Sequence, residues 1–542
     1  MREAVAGLFG ALARNTTNVI VSYEDGRRCS RTFAEFAADV EAYAERLQHV
    51  KEQHGVERVA LIGPTSYRWA VCDYACIRAG IVTIALPETI SADEAAKLAR
   101  ANRADAVLCD AALEPSLGSP APLVWTFGSG GARPFDDVPA APLAKPAADR
   151  IPEEYSVAFT SGTTGTVKPV VQRFRKLESP PRARGLAGKL RLLRAYVRYK
   201  RSFWSRKDNR LFLYMPFSHA QQRSFFMTAL FNGIDVVLSD QQSALRHLVV
   251  ERPNIMVSVP LLYELMAPYV RRRLRELSPV RRLGYRLFNA LRINRLASRN
   301  PLKRAFQALV LPSVGKIYGG RADYFVTGSA KIDPGVLRLF DSIGVRIFEA
   351  YGQSEIGTIA ISDHANHRIG SVGKPKMDVA IAADGEILVK YDPALHDESL
   401  ERNAAGYLHT GDLGRLDADG FLYVDGRKDD VIVLRNGEKV LPSEVEALLA
   451  RELETSAVAV FSRDGTALDA AIAPPPHLAA SELAARLARL NAGLGAARKI
   501  RAYHVASEPF TIANGLLTNT FKLRRRAIAE RFAASRFSPV PR

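Results

Sequence analysis

The sequence predicts an α/β fold class: a large multi-subdomain N-terminal domain, with two α/β layered subdomains plus a small β-rich subdomain, and a small α+β C-terminal domain. Three observations support this prediction. Strand-like apolar runs alternate with helical patterns from residue 56 onward. Asp-Gly pairs that begin at Asp384 and Asp419 separate short strands, as in β-hairpins. Past Asp430, about 110 residues again mix strand and helix, a size that can fold alone.

The first part of the chain alternates strands and helices. An alternating pattern at 18–23 and a helical stretch at 33–47 form the opening segment. A helix with apolar side chains all round is predicted for 67–79, and Gly80 ends it. The remaining predicted elements are strands at 59–62, 81–87 and 106–109 and a helix at 91–102. This order favours a sheet with a parallel component.

The alternation continues and then changes character. Residues 111–153 are rich in proline, alanine and glycine, which predicts a connection. Further strands are predicted at 155–159, 211–219 with a break at Pro216, 235–238, 255–259 and 324–330. The change comes near residue 368, because 379–389 and 407–424 contain short strands separated by turns. These two segments are the predicted β-rich subdomain.

The composition is that of an ordinary globular protein, with 47% hydrophobic and 24% charged residues among 542. No stretch approaches the roughly 18 uninterrupted apolar residues of a membrane span, and the first residues lack a signal-peptide layout. The four cysteines are few and lie in apolar surroundings, which predicts buried thiols. We therefore expect a cytoplasmic protein.

The net charge of +18 favours contact with polyanions or with anionic lipid. Much of the excess lies at 173–210 and 271–304. Within 186–204 the leucines and arginines follow the spacing of an interfacial helix, which predicts peripheral contact with an anionic membrane, on its inner face, through 173–210. A solvated basic face over a core helix is an equally weighted alternative. We expect no nucleic acid partner, because no zinc-finger or RNA-recognition signature accompanies the charge.

A loop rich in glycine and threonine, at 159–168, follows the strand at 155–159. Its glycines let backbone N–H groups turn inward, its hydroxyls add donors and Lys168 supplies a positive charge, which together suit phosphate. A Walker loop is excluded, because Val167, Lys168 and Pro169 stand where that motif needs Gly-Lys-Ser/Thr. A flexible surface loop is the alternative that this segment alone leaves open.

Further motifs follow the loop at 349–355, 406–412, 426–430, 436–446 and 517–525. If ATP is bound, Tyr351 can stack on a base, Glu355 can hold magnesium and Asp412 can accept both ribose hydroxyls. Each motif alone has a structural alternative, since an aspartate after Thr-Gly is commonly a turn residue. Their number and order favour a nucleotide site.

This set resembles the adenylate-forming superfamily, which contains acyl-CoA synthetases, peptide-synthetase adenylation domains and luciferases. The resemblance runs from about Val56 to about Arg526. The segments 213–219, 251–260 and 517–524 look most like long-chain fatty acyl-CoA synthetases. The resemblance implies an AMP-forming acid–thiol ligase that uses ATP, Mg²⁺ and coenzyme A. Its implied substrate is a fatty or other apolar carboxylic acid.

The resemblance also implies roles for individual residues. Lys522, Glu355, His219 and Thr164 would be catalytic, and Glu355 and Thr164 would hold the metal. The nucleotide would be bound by Thr160, Ser161, Gly162, Thr163, Thr164, Gly165 and Lys168 at the triphosphate, by Gly328, Ser329, Ala330, Glu349, Ala350, Tyr351 and Gly352 around the adenine, and by Ser354, Asp412, Arg427 and Lys522 at the α-phosphate and ribose.

The implied chemistry requires positive groups, because the carboxylate and the α-phosphate are anions that must be placed in line. Lys522 would supply one charge and would then occupy the space that the coenzyme A thiolate needs. A hinge at Asp429 is therefore expected between domain 1–428 and a mobile domain 429–542.

A departure from the family pattern in the glycine-rich loop keeps other interpretations open. Val167 and Pro169 replace the usual residues of the loop, and Pro169 removes one backbone donor, so turnover could be slower. His219 could be structural or could orient the carboxylate. One functional alternative is an acyl-AMP ligase that loads an acyl carrier protein, which a basic surface would suit. The other is a non-catalytic, membrane-associated acyl or nucleotide sensor, against which Lys522, Glu355 and Asp412 argue.

Overall fold

The computed structural model describes residues 1–114, 123–127, 131–161, 167–174, 206, 208–393, 396, 400–455, 457–474, 478–518 and 522–541, with only the backbone at 160, 161, 167 and 168. The helices are α1 (Arg2–Ala13), α2 (Phe33–His54), α3 (Tyr67–Ala79), α4 (Ala92–Ala101), α5 (Ala220–Asn232), α6 (Ala244–Glu251), α7 (Pro260–Arg275), α8 (Pro279–Ala290), α9 (Pro301–Val310), α10 (Pro312–Gly315), α11 (Pro334–Ser342), α12 (Pro442–Leu453), α13 (Ala480–Ala492) and α14 (Arg525–Phe532).

The strands are β1 (Val19–Glu24), β2 (Arg27–Thr32), β3 (Arg58–Ile62), β4 (Val82–Leu86), β5 (Ala106–Asp110), β6 (Leu123–Phe127), β7 (Glu154–Ser161), β8 (Val167–Arg173), β9 (Arg210–Leu213), β10 (Asp235–Leu238), β11 (Ile255–Ser258), β12 (Tyr324–Thr327), β13 (Ile347–Gln353), β14 (Gly357–Ile361), β15 (Val379–Ile381), β16 (Glu386–Lys390), β17 (Tyr407–Leu416), β18 (Leu422–Arg427), β19 (Ile432–Val433), β20 (Lys439–Val440), β21 (Val458–Phe461), β22 (Leu468–Ile472), β23 (Ile500–Val505) and β24 (Ser538–Pro539). Short 3₁₀ turns lie at Phe135–Asp137, Ile293–Arg295, Lys428–Asp430 and Ala496–Arg498.

The first α/β unit is a six-stranded sheet in the order β6-β5-β3-β4-β7-β8. Its strands run parallel except β8, which returns antiparallel to β7. Helix α3 is buried on nearly all sides, as its apolar composition predicts, and Gly80 ends it in the left-handed conformation with φ 70°. Pro169 lies in the edge strand β8, where a missing backbone N–H costs little.

The second α/β unit is an eight-stranded sheet in the order β14-β13-β12-β11-β9-β10-β1-β2. The strands from β13 to β1 are parallel, and β2 and β14 close the two edges antiparallel. The opening segment is therefore an integral part of this sheet, because β1 pairs with β10. The carboxyl ends of β9, β11, β12 and β13 lie along one edge, where ligands bind in open α/β sheets.

Buried polar contacts join the two sheets. The hydroxyl of Thr65, which follows β3, donates to the backbone oxygen of Met215, which follows β9, at 2.8 Å. Arg223 on α5 forms an ion pair with Asp73 on α3, and both side chains are about 95% or more buried. Arg223 also donates to the hydroxyl of Ser156 on β7. The strand that leads into the glycine-rich loop is thus tied to the second sheet.

The β-rich subdomain is an antiparallel sheet in the order β15-β16-β17-β18. Both predicted hairpin glycines, Gly385 and Gly420, adopt positive φ angles of 88° and 79°. The last part of the chain forms the hairpin β19–β20 and a four-stranded sheet, β21-β22-β23-β24, with α12, α13 and α14. Its apolar side chains form two clusters drawn entirely from residues 432 to 540.

Most predicted elements are confirmed, and a few predictions are wrong in detail. The strands predicted at 211–219 and 324–330 end at Leu213 and Thr327, because the chain leaves the sheet before Pro216 and at Gly328. Cys29 is half-exposed, unlike the other three cysteines, because it lies on the edge strand β2. The helix predicted within 186–204 falls outside the described residues. None of the described helices has the length and apolar composition needed to cross a bilayer.

Candidate active site

The glycine-rich loop connects β7 to β8. The register of this hairpin pairs Phe159 with Pro169 and Thr160 with Lys168. A Walker loop leads into a helix, whereas this loop returns as an antiparallel strand, which agrees with the exclusion of that motif. The loop residues Gly162, Thr163, Thr164 and Gly165 lie outside the described residues, as do the side chains of Thr160, Ser161 and Lys168. Their predicted contacts with a triphosphate remain predictions.

The segments predicted to surround the adenine lie side by side at the ends of β12 and β13. Thr327 pairs with Glu349 in parallel register. Gly328 donates its backbone N–H to Ser258 O at 3.1 Å, and a Cβ atom at Gly328 would lie 3.3 Å from Ala350 O. Ser329 has a φ of 70°, and both Ser329 and Ala330 are exposed. The two segments therefore form a closely packed wall whose outer end is open to solvent.

Glu349 is a buried acid in this wall, with an exposed fraction of 6%. Its carboxylate accepts the backbone N–H of Gly370 at 2.9 Å. Burial raises the pKa of Glu349 from 4.5 to about 8, although the Gly370 hydrogen bond and the charge of Lys331 act in the opposite direction. The carboxyl group is therefore largely protonated at neutral pH.

Asp412 is the centre of a hydrogen-bond network. Its Oδ2 accepts from the hydroxyl of Tyr351 and from Nε2 of Gln353, both at 2.7 Å. Its Oδ1 accepts from Nη1 of Arg427 at 3.2 Å, and its own N–H donates to the hydroxyl of Thr410. Asp412 and Arg427 meet because they pair across the antiparallel strands β17 and β18. Three predicted site residues, Tyr351, Asp412 and Arg427, are thus brought together.

Gln353 is a further member of this network, and the motifs alone do not predict its role. Its amide nitrogen donates to Asp412 and, at 2.6 Å, to the backbone oxygen of Thr410. It stands between Tyr351 and Glu355 in a predicted motif, but nothing in the sequence indicates which distant acid it contacts. The pair is formed by the packing of β13 against the β-rich subdomain.

The turn after β13 carries the other motif residues. A β-bulge separates Tyr351 from Gly352, and a Cβ atom at Gly352 would lie 2.3 Å from Gly357 O, so a side chain there cannot be accommodated. Ser354 and Glu355 follow in the turn, where Ser354 is exposed and Glu355 is half-exposed. Their side chains are accessible to a ligand. No cluster of three or more acidic, histidine or cysteine side chains suited to a metal occurs among the described residues.

Lys522 approaches Asp412 from the last part of the chain. A short hairpin holds it, in which Thr518 N–H donates to Lys522 O at 2.8 Å and Lys522 N–H donates to the Thr518 hydroxyl at 3.0 Å. Its ammonium group interacts electrostatically with Asp412, Arg427 and Asp430. Protein atoms displace water around the ammonium group, which lowers the pKa of Lys522 despite the opposing charge of Asp412.

His219 and Asp429 lie at boundaries. His219 precedes α5, is half-buried and accepts at its backbone oxygen from the N–H groups of Gln222 and Arg223. The contacts described for it do not connect it with Asp412. Asp429 is exposed in a 3₁₀ turn, and its neighbour Asp430 forms an ion pair with Arg525 at 2.6 Å. The turn joins β18 to β19, where the last part of the chain begins.

The family of the chain follows from a sequence comparison. A family model for AMP-binding enzymes matches residues 10–390, so the chain belongs to the AMP-binding enzyme family. The expected membership of the adenylate-forming superfamily is confirmed. The expected start of the resemblance near Val56 was too late, since the match begins at residue 10 and includes β1, β2 and α2. Strands β1 and β2 belong to the second sheet.

Individual relatives agree with this family. The long-chain-fatty-acid–CoA ligase FadD15 of Mycobacterium bovis is 28% identical, over 94% of this chain and 92% of that protein. The adenylation domain of a carboxylate reductase from Mycobacterium chelonae shares the fold with a TM-score of 0.72 at 16% identity, over 98% of this chain and 89% of that one. The O-succinylbenzoate coenzyme A synthetase of Bacillus subtilis, solved with AMP, gives 0.67 at 20% identity, over 96% and 97%. The predicted fold class is confirmed.

Proposed function

We propose that the chain is an ATP-dependent, AMP-forming acyl-CoA synthetase that acts on a fatty or other apolar carboxylic acid. The observation that carries the proposal is the position of Lys522, which reaches Asp412 and Arg427 from a separate part of the chain. Asp412 would then hold the ribose, and Lys522 would be the cation for the reacting anions nearby. The ligase relative from Mycobacterium bovis, similar over nearly its whole length, supports the choice of substrate class.

Nucleotide binding would use the Asp412 network. A carboxylate has about four acceptor positions, and Tyr351, Gln353 and Arg427 already use three. If both ribose hydroxyls are to donate to Asp412, one of these three protein donors must therefore move away from the carboxylate. Tyr351 is the donor that we propose to leave, because its ring is then free to stack on the adenine beside the Gly328–Ala330 wall. Gln353 and Arg427 would keep the carboxylate in place.

The first step joins the two substrates. An oxygen of the substrate carboxylate attacks the α-phosphorus of ATP, the bond to the β-phosphate oxygen breaks and pyrophosphate leaves along the glycine-rich loop. Negative charge builds on the α-phosphate, and a cation already in place stabilises it without reorganisation. Lys522 would be that cation, and Ser354 would contact the same phosphate. Residues 160–165 and Lys168 would hold the triphosphate.

A magnesium ion belongs to this proposal. Glu355 and Thr164 would hold it, and it would neutralise charge on the phosphates. Mg²⁺ commonly binds through one or two carboxylates and completes its shell with water and substrate phosphates. The single accessible carboxylate of Glu355, in a turn beside the Asp412 network, is consistent with that pattern.

The second step requires room for coenzyme A. Its thiolate attacks the acyl carbon, the bond to the phosphate oxygen breaks and AMP leaves. Lys522 would obstruct this approach, so we propose that a domain 429–542 rotates relative to 1–428 about Asp429. Separate apolar clusters on the two sides of the 3₁₀ turn support this boundary. His219, at the carboxyl-end edge of the second sheet, would orient the substrate carboxylate.

Two further elements of the proposal rest on the sequence. A cytoplasmic location agrees with the few cysteines, and peripheral contact with an anionic membrane through 173–210 agrees with the basic residues there. Residues 175–205 lie outside the described part of the chain.

The test is a pyrophosphate-release assay with the purified chain, ATP, Mg²⁺ and a panel of carboxylic acids of increasing length. We expect sustained release with an apolar acid, and a thioester when coenzyme A is added. Absence of sustained release with every acid would indicate a sensor and refute the enzyme. Thioester formation only on a holo acyl carrier protein would refute coenzyme A as the acceptor. Lys522→Ala serves as the matched inactive control.

A further inference from the structure

Helices α8 and α9 present an exposed apolar surface. Val280, Leu283 and Leu287 of α8, with Leu291 directly after its last residue, are spaced at intervals of three and four residues, which places them on one side of the helix. Their exposed fractions are 81%, 59%, 45% and 65%. Single exposed leucines are ordinary, but a continuous row on one helix marks an interaction site. We call these four residues the α8 stripe.

The orientation of the α8 stripe is fixed by contacts that α8 makes with α9 along the adjacent side of the helix. Phe288 is buried and stacks on Phe306 of α9, with ring centres 6.1 Å apart. A Cβ atom at Gly284 would lie 3.0 Å from Val310, so the two helices approach closely and run antiparallel. Leu309, on α9, is also 75% exposed. The outward apolar surface is therefore a property of the packed fold.

Arginine residues border the α8 stripe. Arg275, Arg282 and Arg286, with Leu274 and Tyr285, line a groove of about 400 Å³ between the end of α7 and α8. In the described part of the chain these three arginines form no ion pair with an acidic side chain, whereas nearby Arg273 pairs with Glu276. Segment 271–304 contains twelve arginine and lysine residues and one acidic residue. The groove suits a phosphate-bearing group.

We propose that the α8 stripe and the arginine groove dock the protein on an anionic phospholipid surface. The leucines would enter the boundary between headgroups and acyl chains, and the arginines would bind lipid phosphates beside them. Two other binding partners for this surface are disfavoured by charge repulsion. A second copy of the same surface would bring two arginine clusters together, and the basic segment 175–205 would be repelled in the same way.

The test is cosedimentation of the full chain with vesicles of phosphatidylcholine containing about one third phosphatidylglycerol, against phosphatidylcholine alone. Neutralising two groove arginines, in Arg282→Gln/Arg286→Gln, should weaken binding about 25-fold, about fivefold for each arginine. The double variant Leu283→Glu/Leu287→Glu should weaken it at least about tenfold. Val505→Glu, which alters an apolar residue of β23 that is 43% exposed, is the matched control and should bind as wild type.

Thermal unfolding and gel filtration test whether each variant is folded. We expect each variant to fold, because the substituted side chains are exposed. Wild-type binding by both α8 variants would overturn the proposal. Equal binding of wild type to vesicles without phosphatidylglycerol would overturn the anionic surface. Self-association that the leucine variant abolishes, with vesicle binding unchanged, would identify a second copy as the occupant and overturn the lipid. The test does not depend on the acyl-CoA synthetase activity.

Discussion

Replacement of Glu349 by glutamine should change how the stability of the protein depends on pH. Burial raises the pKa of this carboxyl group from 4.5 to about 8 in the folded chain. The folded-state pKa is above that of the unfolded chain, so between these values the folded chain keeps a proton that the unfolded chain releases. Stability from this group is fully present below pH 4.5 and declines as the pH rises toward 8. Glutamine has a similar shape and cannot ionise.

The interval between the pKa values of 4.5 and about 8 corresponds to an unfolding free energy of about 5 kcal/mol, at about 1.4 kcal/mol for each pH unit. No large reduction for solvent screening applies, because Glu349 is only 6% exposed. Relative to Glu349→Gln, wild type should therefore lose about 4 kcal/mol of unfolding free energy between pH 5 and pH 8. The difference should become constant about one pH unit above the folded-state pKa.

The measurement is urea unfolding of both proteins at several pH values, followed by tryptophan fluorescence. All three tryptophans, Trp69, Trp125 and Trp204, precede residue 428 and report on the part that contains Glu349. Glu386→Gln is the matched control. Burial of Glu386 opposes its ionisation, but hydrogen bonds from Lys428 and Gly411 outweigh it and lower its pKa. The Glu386 carboxyl group itself therefore stays ionised above pH 5. If wild type and Glu349→Gln differ in unfolding free energy by the same amount at every pH, the raised pKa assigned to Glu349 is refuted.

Three further substitutions test the site and the core. Lys522→Ala should abolish adenylate formation, while thioester formation from synthetic acyl-adenylate stays largely intact. Equal loss of activity in the two assays would refute the role assigned to Lys522. Gln353→Leu should raise KM for ATP about tenfold and change kcat little, because Asp412 loses a positioning donor; a loss confined to kcat would count against this. Arg223→Met should lower the unfolding free energy by about 3–5 kcal/mol, because it leaves the charge of Asp73 buried without its partner. Adding Asp73→Leu should restore most of this free energy. No recovery in the double variant would contradict the ion-pair explanation.

Local sequence patterns were sufficient to predict most of the fold. The apolar run that forms α3 and the glycine that ends it define that helix without tertiary information. The Asp-Gly turns of the β-rich subdomain are equally local, because positive φ angles are required at Gly385 and Gly420. The position of β1 in the second sheet was not predictable in this way. It depends on pairing with β10, more than 200 residues away.

The sequence predicted which motifs form the site but only part of the contacts between their residues. The order of the motifs indicated that Tyr351, Asp412 and Arg427 act together, and the structure brings them into one network. The contribution of Gln353 was missed, because a glutamine between two motif residues carries no local signal for its partner 59 residues away. The buried pair of Arg223 and Asp73 was missed for the same reason.

A hydrogen bond and a packing contact join the two parts of the chain, beside the electrostatic interactions of Lys522 with Asp412 and Arg427. Among the described residues beyond the 3₁₀ turn, Ser443 donates a hydrogen bond to Asp425 O at 3.3 Å, and Gly426 lies against Leu441. One such bond contributes about 1 kcal/mol. The charge of a bound nucleotide triphosphate can therefore select the arrangement in which Lys522 faces the cleft, because a ligand shifts a conformational equilibrium by its difference in affinity for the two states. Departure of pyrophosphate removes much of that charge. On the proposed function, the chemistry of the first step thus weakens the interaction that holds Lys522 in place and favours the rotation that the second step needs.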